Sequence, residues 1–339
     1  MFRRLLIAGL FIMIIAGSVS CKSGSVVREQ QPDLSYKRIE NYDTDFDKDL
    51  IERVGMPPEI VLSYFSRADN MPAYTAYKPT EAEMSIIEKE LELLPLLHRQ
   101  ILEKRLVGIY FIENFLGSGL ADYIIGDDGA VYTILIFNPR VLQSSLSEYV
   151  SYKENSCFIR DDSSTRVEIE LSETFSGFLY ILLHESTHCI DYVERFTPWV
   201  EPHMLRVQGP SQRDTSFTRR VWKDYSVLNA SVQFPYKEEI TFYGFNNGPK
   251  LKISDAVEVY QALEDSPFVS LYSSLNWADD FAEYITFYHM TQHLDLDYRI
   301  VIRRNDEILY MYEPMRSERI FARSRELDKE LVKLLIFIR

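Results

Sequence analysis

Apolar positions along the chain change their period several times, and each period predicts an element. Between residues 81 and 105, Ile86, Ile87, Leu91, Leu94 and Leu97 recur near helical spacing, with Pro95 as a break or kink, and 57–67 also reads as helix. Residues 107–111 and Val131–Phe137 are runs of β-branched and aromatic residues that read as strands, separated by the turn signals Gly117-Ser118-Gly119 and Asp127-Asp128-Gly129. Residues 166–171 alternate as a half-buried strand does. Phe175, Phe178, Leu179, Ile181, Leu182 and Leu183 then form an apolar run that Ile190 and Val193 continue. This predicts a buried helix with Ser172 or Thr174 as N-cap and Pro198 just past its end. Residues 276–285 read as a further helix, and 319–339 as an amphipathic closing helix.

Inside the buried helix stands His184-Glu185-Ser186-Thr187-His188. Residues four apart share a helix face, so both imidazoles can bind one metal while Glu185 points to an open coordination position. Two histidines and a glutamate are costly to desolvate in such a helix unless something satisfies them, and zinc does so. The alternative is a pair of ordinary hydrogen-bonded histidines. Catalytic zinc usually takes three protein ligands and leaves the fourth position to water. The helix at 276–285 offers Asp279 and Glu283, four apart on one face. One can bind the metal while the other hydrogen-bonds a ligand histidine. A solvated acidic face is the alternative for Asp279, Asp280 and Glu283.

His184-Glu185-x-x-His188-x-x-Asp191, followed by Asp279-Asp280-Phe281-Ala282-Glu283, resembles the HExxHxxD zincin metallopeptidases of the gluzincin-like group that includes anthrax lethal factor and the Mlc titration factor peptidases. In that group a glutamate placed two residues before a Phe-Ala pair supplies the third ligand. Aligning the pairs puts Asp279 in that place and Glu283 in the supporting one. Aspartate is one methylene shorter, so either its helix approaches the metal more closely or Glu283 coordinates instead. The resemblance makes Asp191 a supporting partner and Glu185 the general base. It also implies an α+β fold, a small mixed or antiparallel sheet packed on the motif helix with a helical C-terminal subdomain. The family's edge strand pairs with extended substrate, and Val131–Phe137 is the candidate for that edge. The long separation of the two motifs predicts an insertion at about 197–255, whose loops 208–211 and 246–249 can wall the cleft. Tyr272, Tyr284, Tyr288, His289 and His293 are all candidate donors to an oxyanion, or ordinary core residues, and the sequence does not choose among them.

The start of the chain bears on location. A cationic Met1-Phe2-Arg3-Arg4, an apolar stretch from 5 to 17 and the small residues Ser18-Val19-Ser20 read as a secretory signal over 1–20, because the stretch is short of the ~20 residues that span a bilayer. Its end resembles a bacterial lipoprotein signal, with Ser18 where leucine is usual. That implies a lipidated Cys21, a membrane anchor, and a place in the cell envelope, with Lys22 permitting passage to the outer membrane. An ordinary cleaved signal is the alternative. Residues 21–44 carry no apolar periodicity and read as a flexible tether, with the catalytic domain at 45–339. In an oxidising compartment Cys157 and Cys189 can pair, stay free and buried, or bind metal.

A hydrophobic fraction of 46% and an aromatic fraction of 13% support a sizeable core, and a net charge of −14 argues against nucleic acid as partner. The expected activity is zinc-dependent hydrolysis of peptide bonds in a peptide or protein substrate. A noncatalytic envelope lipoprotein with a structural or binding zinc, and a zinc hydrolase of cell-wall amides, are the other readings.

Overall fold

The computed structural model describes residues 34–201, 205, 216–323, 325 and 327. The signal segment, Cys21, the 208–211 loop and most of the closing helix lie outside the described residues, while 318–323 are helical. None of the described helices is long and apolar enough to cross a membrane.

The fold is mixed α+β. Helices α1 (Glu59–Ala68), α2 (Glu81–Leu91) and α3 (Leu96–Arg105) precede the main sheet, and Pro95 separates α2 from α3 by serving as the N-cap of the latter. The sheet comprises β1 (Val54–Gly55), β2 (Thr75–Tyr77), β3 (Leu106–Glu113), β4 (Gly119–Ile125) and β5 (Val131–Phe137). Its order is β1-β3-β5-β4, with β2 also on β3. The β1–β3 and β3–β5 pairs are parallel, whereas β4 runs antiparallel to β5.

Val131–Phe137 is therefore an inner strand, and β4 lies at one edge of the sheet, with its last residue Ile125 bridged to Arg38. The expectation failed because β5 is buried on both faces and both edges, which yields the same apolar run as any strong strand. Nothing in that run records its neighbours.

After the sheet come α4 (Leu146–Asn155), β6 (Phe158–Ile159), β7 (Thr165–Glu170) and the motif helix α5 (Gly177–Glu194). The N-cap of α5 is Ser176 rather than Ser172 or Thr174; its hydroxyl accepts the Phe178 amide. Buried Glu90 of α2 grips the same cap, accepting the Ser176 amide at 2.8 Å and its hydroxyl at 2.9 Å. Helix α5 stops where Arg195 adopts a left-handed conformation, two residues before Thr197 and three before Pro198.

The described part of the insertion holds a one-turn α6 (Ser216–Arg219), the hairpin β8 (Trp222–Asp224) and β9 (Val227–Leu228), several 3-10 turns, and β10 (Leu251–Lys252), which pairs with β6. Then follow α7 (Ala256–Glu264), α8 (Trp277–Gln292) and a hairpin of β11 (Arg299–Arg304) and β12 (Glu307–Tyr312). The hairpin was not foreseen, so the C-terminal part is not purely helical. Strand β7 alternates as expected, but it joins β11 in this second sheet rather than extending the first.

The main core lies between one face of the sheet and α2, α3 and α5, with Phe111, Leu135 and Phe137 meeting Phe178, Ile181 and Leu182. On the other face, Ile112, Ile134 and Ile136 pack with Val61, Leu62 and Phe65 of α1 and with Tyr36 and Tyr42. Those two tyrosines correct the tether boundary, because folded structure begins by Leu34 rather than at Asp45. Tyr36 donates to Asp122 of β4 at 2.6 Å, and Lys37 forms a buried ion pair with the same carboxylate. The segment escaped notice because it is held by single anchors in 3-10 turns, which leave no repeating pattern.

Candidate metal centre

Helices α5 and α8 pack against each other and bring three ligand atoms together. His184 Nε2 and His188 Nε2 are 3.2 Å apart, Asp279 Oδ1 is 3.4 Å from the second and 3.8 Å from the first. Two atoms each about 2.0–2.1 Å from a tetrahedral zinc stand roughly 3.3–3.4 Å apart, so this spacing suits that ion closely. The His184-His188-Asp279 group can hold a metal ion. Nitrogen and carboxylate donors of this kind are what zinc accepts.

The electrostatics favour a cation at the same place. Burial alone would strip His184 of a proton, but Asp279 and Glu283 outweigh it and push the ring up to about 10. Burial likewise opposes charge on Asp279, yet the two imidazoles hold its carboxyl well below the usual range. Asp279, Asp280 and Glu283 are 7%, 0% and 0% exposed, which excludes a solvated acidic face.

Each acidic residue of α8 has a different task. Asn276 caps the helix by accepting the Ala278 and Asp279 amides, and its side-chain amide donates to Asp279 Oδ2 at 2.6 Å. Oδ1 is thereby turned to the histidines. Asp280 faces away, held by Arg323 at 2.7 and 3.0 Å and by the Trp222 indole at 2.8 Å. Glu283 sits behind His184, 3.0 Å from Nδ1, and also accepts from the Tyr180 hydroxyl. An ionised carboxylate only accepts, so Nδ1 keeps its proton and Nε2 is the nitrogen at which a metal would replace one.

Glu185 projects from α5 toward β4, where its Oε2 accepts the Ala121 amide at 2.8 Å. Gly119 permits the approach, since a Cβ there would lie 2.5 Å from Ile181 Cγ2 and 3.0 Å from Glu185 Cγ. The two remaining motif residues serve packing: buried Ser186 meets His98 Nδ1 at 2.9 Å, and Thr187 bonds back to the Leu183 carbonyl.

Asp191 departs from expectation. Although it feels the charge of His188, its oxygens accept the Thr197 amide at 2.7 Å and hydroxyl at 2.5 Å, so it ties down the turn after α5 rather than orienting the ligand by hydrogen bond. Cys157 and Cys189 are free and buried. Burial pushes both thiols up, and neither belongs to the ligand group, which removes the disulfide and thiolate-ligand alternatives for them.

The five candidate donors also separate. The Tyr272 ring lies 5.5 Å from that of His184, and burial followed by the charges of Asp279, Glu185 and Glu283 keeps its phenol protonated well above the ordinary range. Tyr284 instead donates to the Ile320 carbonyl, His289 meets the Leu93 carbonyl, and Tyr288 and His293 pack on one another. Tyr225, between β8 and β9 in the insertion, is a further tyrosine near the site that sequence reasoning missed; burial and Asp279 raise its phenol too. Asn276 and Glu90 were also missed. An asparagine immediately before an acidic first turn was a readable cap signal for the former.

Compared with models of protein families, with curated proteins and with solved structures, the chain matches none.

Proposed function

We propose that this protein is a zinc-dependent peptidase of zincin type, acting on peptide or protein substrates in the cell envelope, where a lipid on Cys21 anchors it. The observation that carries the reading is the convergence of His184 Nε2, His188 Nε2 and Asp279 Oδ1 within 3.2–3.8 Å beside Glu185. Bound there, zinc would acidify a water and polarise the scissile carbonyl.

The chain's own residues supply the rest. Glu185 takes the proton of the attacking water and returns it to the leaving amine. Tyr272, a phenol kept protonated beside the centre, donates to the oxyanion. Asn276 and Glu283 hold Asp279 and His184 in place from behind. The strand β4, whose Ala121 amide donates to Glu185, forms the wall of the site beside that carboxylate.

The test is metal content of the purified soluble portion from about residue 22, by elemental analysis, for wild type and His184→Ala. One zinc per chain, lost in the variant, supports the centre; no zinc after reconstitution refutes it. Glu185→Gln should then keep zinc and fold but lose hydrolysis by at least about a hundredfold. A biological effect indifferent to Glu185→Gln would turn the reading to a binding lipoprotein. Cleavage of peptidoglycan but not of unfolded protein would turn it to a cell-wall amide hydrolase.

A further inference from the structure

Behind the centre lies a buried cation that the mechanism above does not use. Lys153, on α4, is 2% exposed, and its ammonium stands 3.2 Å from Glu283 Oε2 and 3.7 Å from Glu154 Oε1. Three rings surround it: Tyr272 at 4.6 Å, Tyr180 at 4.8 Å and Phe242 at 5.3 Å from ammonium to centroid. Ser270 donates to the same Glu283 oxygen at 2.5 Å, and Tyr260 holds Glu154 at 2.5 Å.

Glu283 thus has several donors, but of these only Lys153 and His184 can carry charge. A buried carboxylate is strongly disfavoured unless an opposite charge accompanies it. With a metal on Nε2 the imidazole is a neutral donor to Glu283 through Nδ1, so it cannot bind the metal and balance the carboxylate's charge at once. Lys153 resolves the conflict by pairing with Glu283 from the side opposite the imidazole. The tyrosine and phenylalanine rings keep water out and favour the cation through their faces. One of those rings belongs to Tyr272, so the same ammonium also packs against the proposed oxyanion donor.

We infer that Lys153 is a positioning residue of the metal centre, acting on His184 through Glu283. The inference rests on the zinc reading of the site, and the experiment separates the two. Zinc affinity is measured by competition with a chromophoric chelator for wild type, Lys153→Met, Glu283→Gln and the double variant, with circular dichroism reporting the fold. Each single change should weaken zinc binding about 10–100-fold. The double variant should bind within about threefold of Glu283→Gln alone, because a residue acting through another loses its effect when that other is gone. The cobalt-loaded Lys153→Met protein should show the same displaced visible spectrum as cobalt-loaded Glu283→Gln. Lys153→Gln, which keeps a donor and removes the charge, carries the test if the methionine variant does not fold. Additive losses, or a Lys153 variant that binds zinc as wild type does, would overturn the inference. Failure of wild type itself to bind zinc would overturn the site reading instead.

Discussion

Glu185 and Ala121 are joined by a 2.8 Å hydrogen bond from the strand amide to the carboxylate, so the edge of the sheet touches the residue proposed to move the proton. The contact depends on a glycine two residues earlier. Gly119→Ala would place a Cβ 2.5 Å from Ile181 and 3.0 Å from Glu185, and β4 would have to move away from α5. We expect a loss of about 1–3 kcal/mol in stability, and a fall in kcat larger than any fall in zinc occupancy. Denaturant unfolding and zinc titration check the two halves. An alanine variant as stable and as active as wild type would show that the strand does not position Glu185.

Replacing Tyr272 by Phe removes the hydroxyl and leaves the ring against His184 and Lys153. Zinc binding should stay, with kcat lower by about 10²–10³ and KM little changed. Tyr225→Phe provides the comparison, since Tyr225 also lies near Asp279. If Tyr225→Phe carries the kcat loss and Tyr272→Phe does not, the donor is assigned to the wrong tyrosine.

Much of the centre was readable because α5 follows simple rules: an uninterrupted apolar run, ligands one turn apart, and a proline just beyond the end. Strands β3 and β5 were readable for the same reason. Their order was not, since the edge strand Gly-Leu-Ala-Asp-Tyr-Ile-Ile carries Gly119 and Asp122, and both weaken a strand pattern. Gly119 looked like part of a turn and proved to be a point of close approach. Asp122 is buried against Tyr36 and Lys37, which come from a segment read as tether. Glu90 and Lys153 are single polar residues on ordinary helices, and only tertiary packing tells them from solvated neighbours. The pairing of Cys157 with Cys189 depended on geometry that spacing does not encode.

Asn276 has two separable roles. Its side-chain oxygen caps α8, and its amide nitrogen restrains Asp279. Asn276→Ser keeps a capping oxygen and loses the donor to Oδ2, so helix stability should change by only a few tenths of a kcal/mol, while zinc affinity falls about tenfold or more. Asp279→Ala should abolish zinc binding, and Glu283→Ala should weaken it without abolishing it. Metal analysis of the three variants decides the matter. If only the Glu283 change releases the metal, the third ligand is Glu283, and Asn276 has no bearing on the site.

Glu90 links the start of the motif helix to pH. Burial raises its carboxyl to about 7 from an unfolded value of 4.5, despite the bonds from Ser176 that favour the charged form. Below 4.5 the group is protonated in both states and contributes no pH dependence. Between 4.5 and about 7 the folded state binds more proton than the unfolded one, so stability falls as pH rises. Above that interval the full cost is present, up to about 3 kcal/mol. Glu90→Gln keeps an acceptor for the Ser176 amide and cannot titrate. Metal-free wild type should therefore lose stability relative to this variant as pH rises from 4.5 to 8, because the other titrations are common to both proteins and cancel. Denaturant unfolding at intervals across that range measures the difference. A constant difference between the two proteins would mean that Glu90 is charged throughout and that the helix N-terminus, rather than burial, sets its proton affinity.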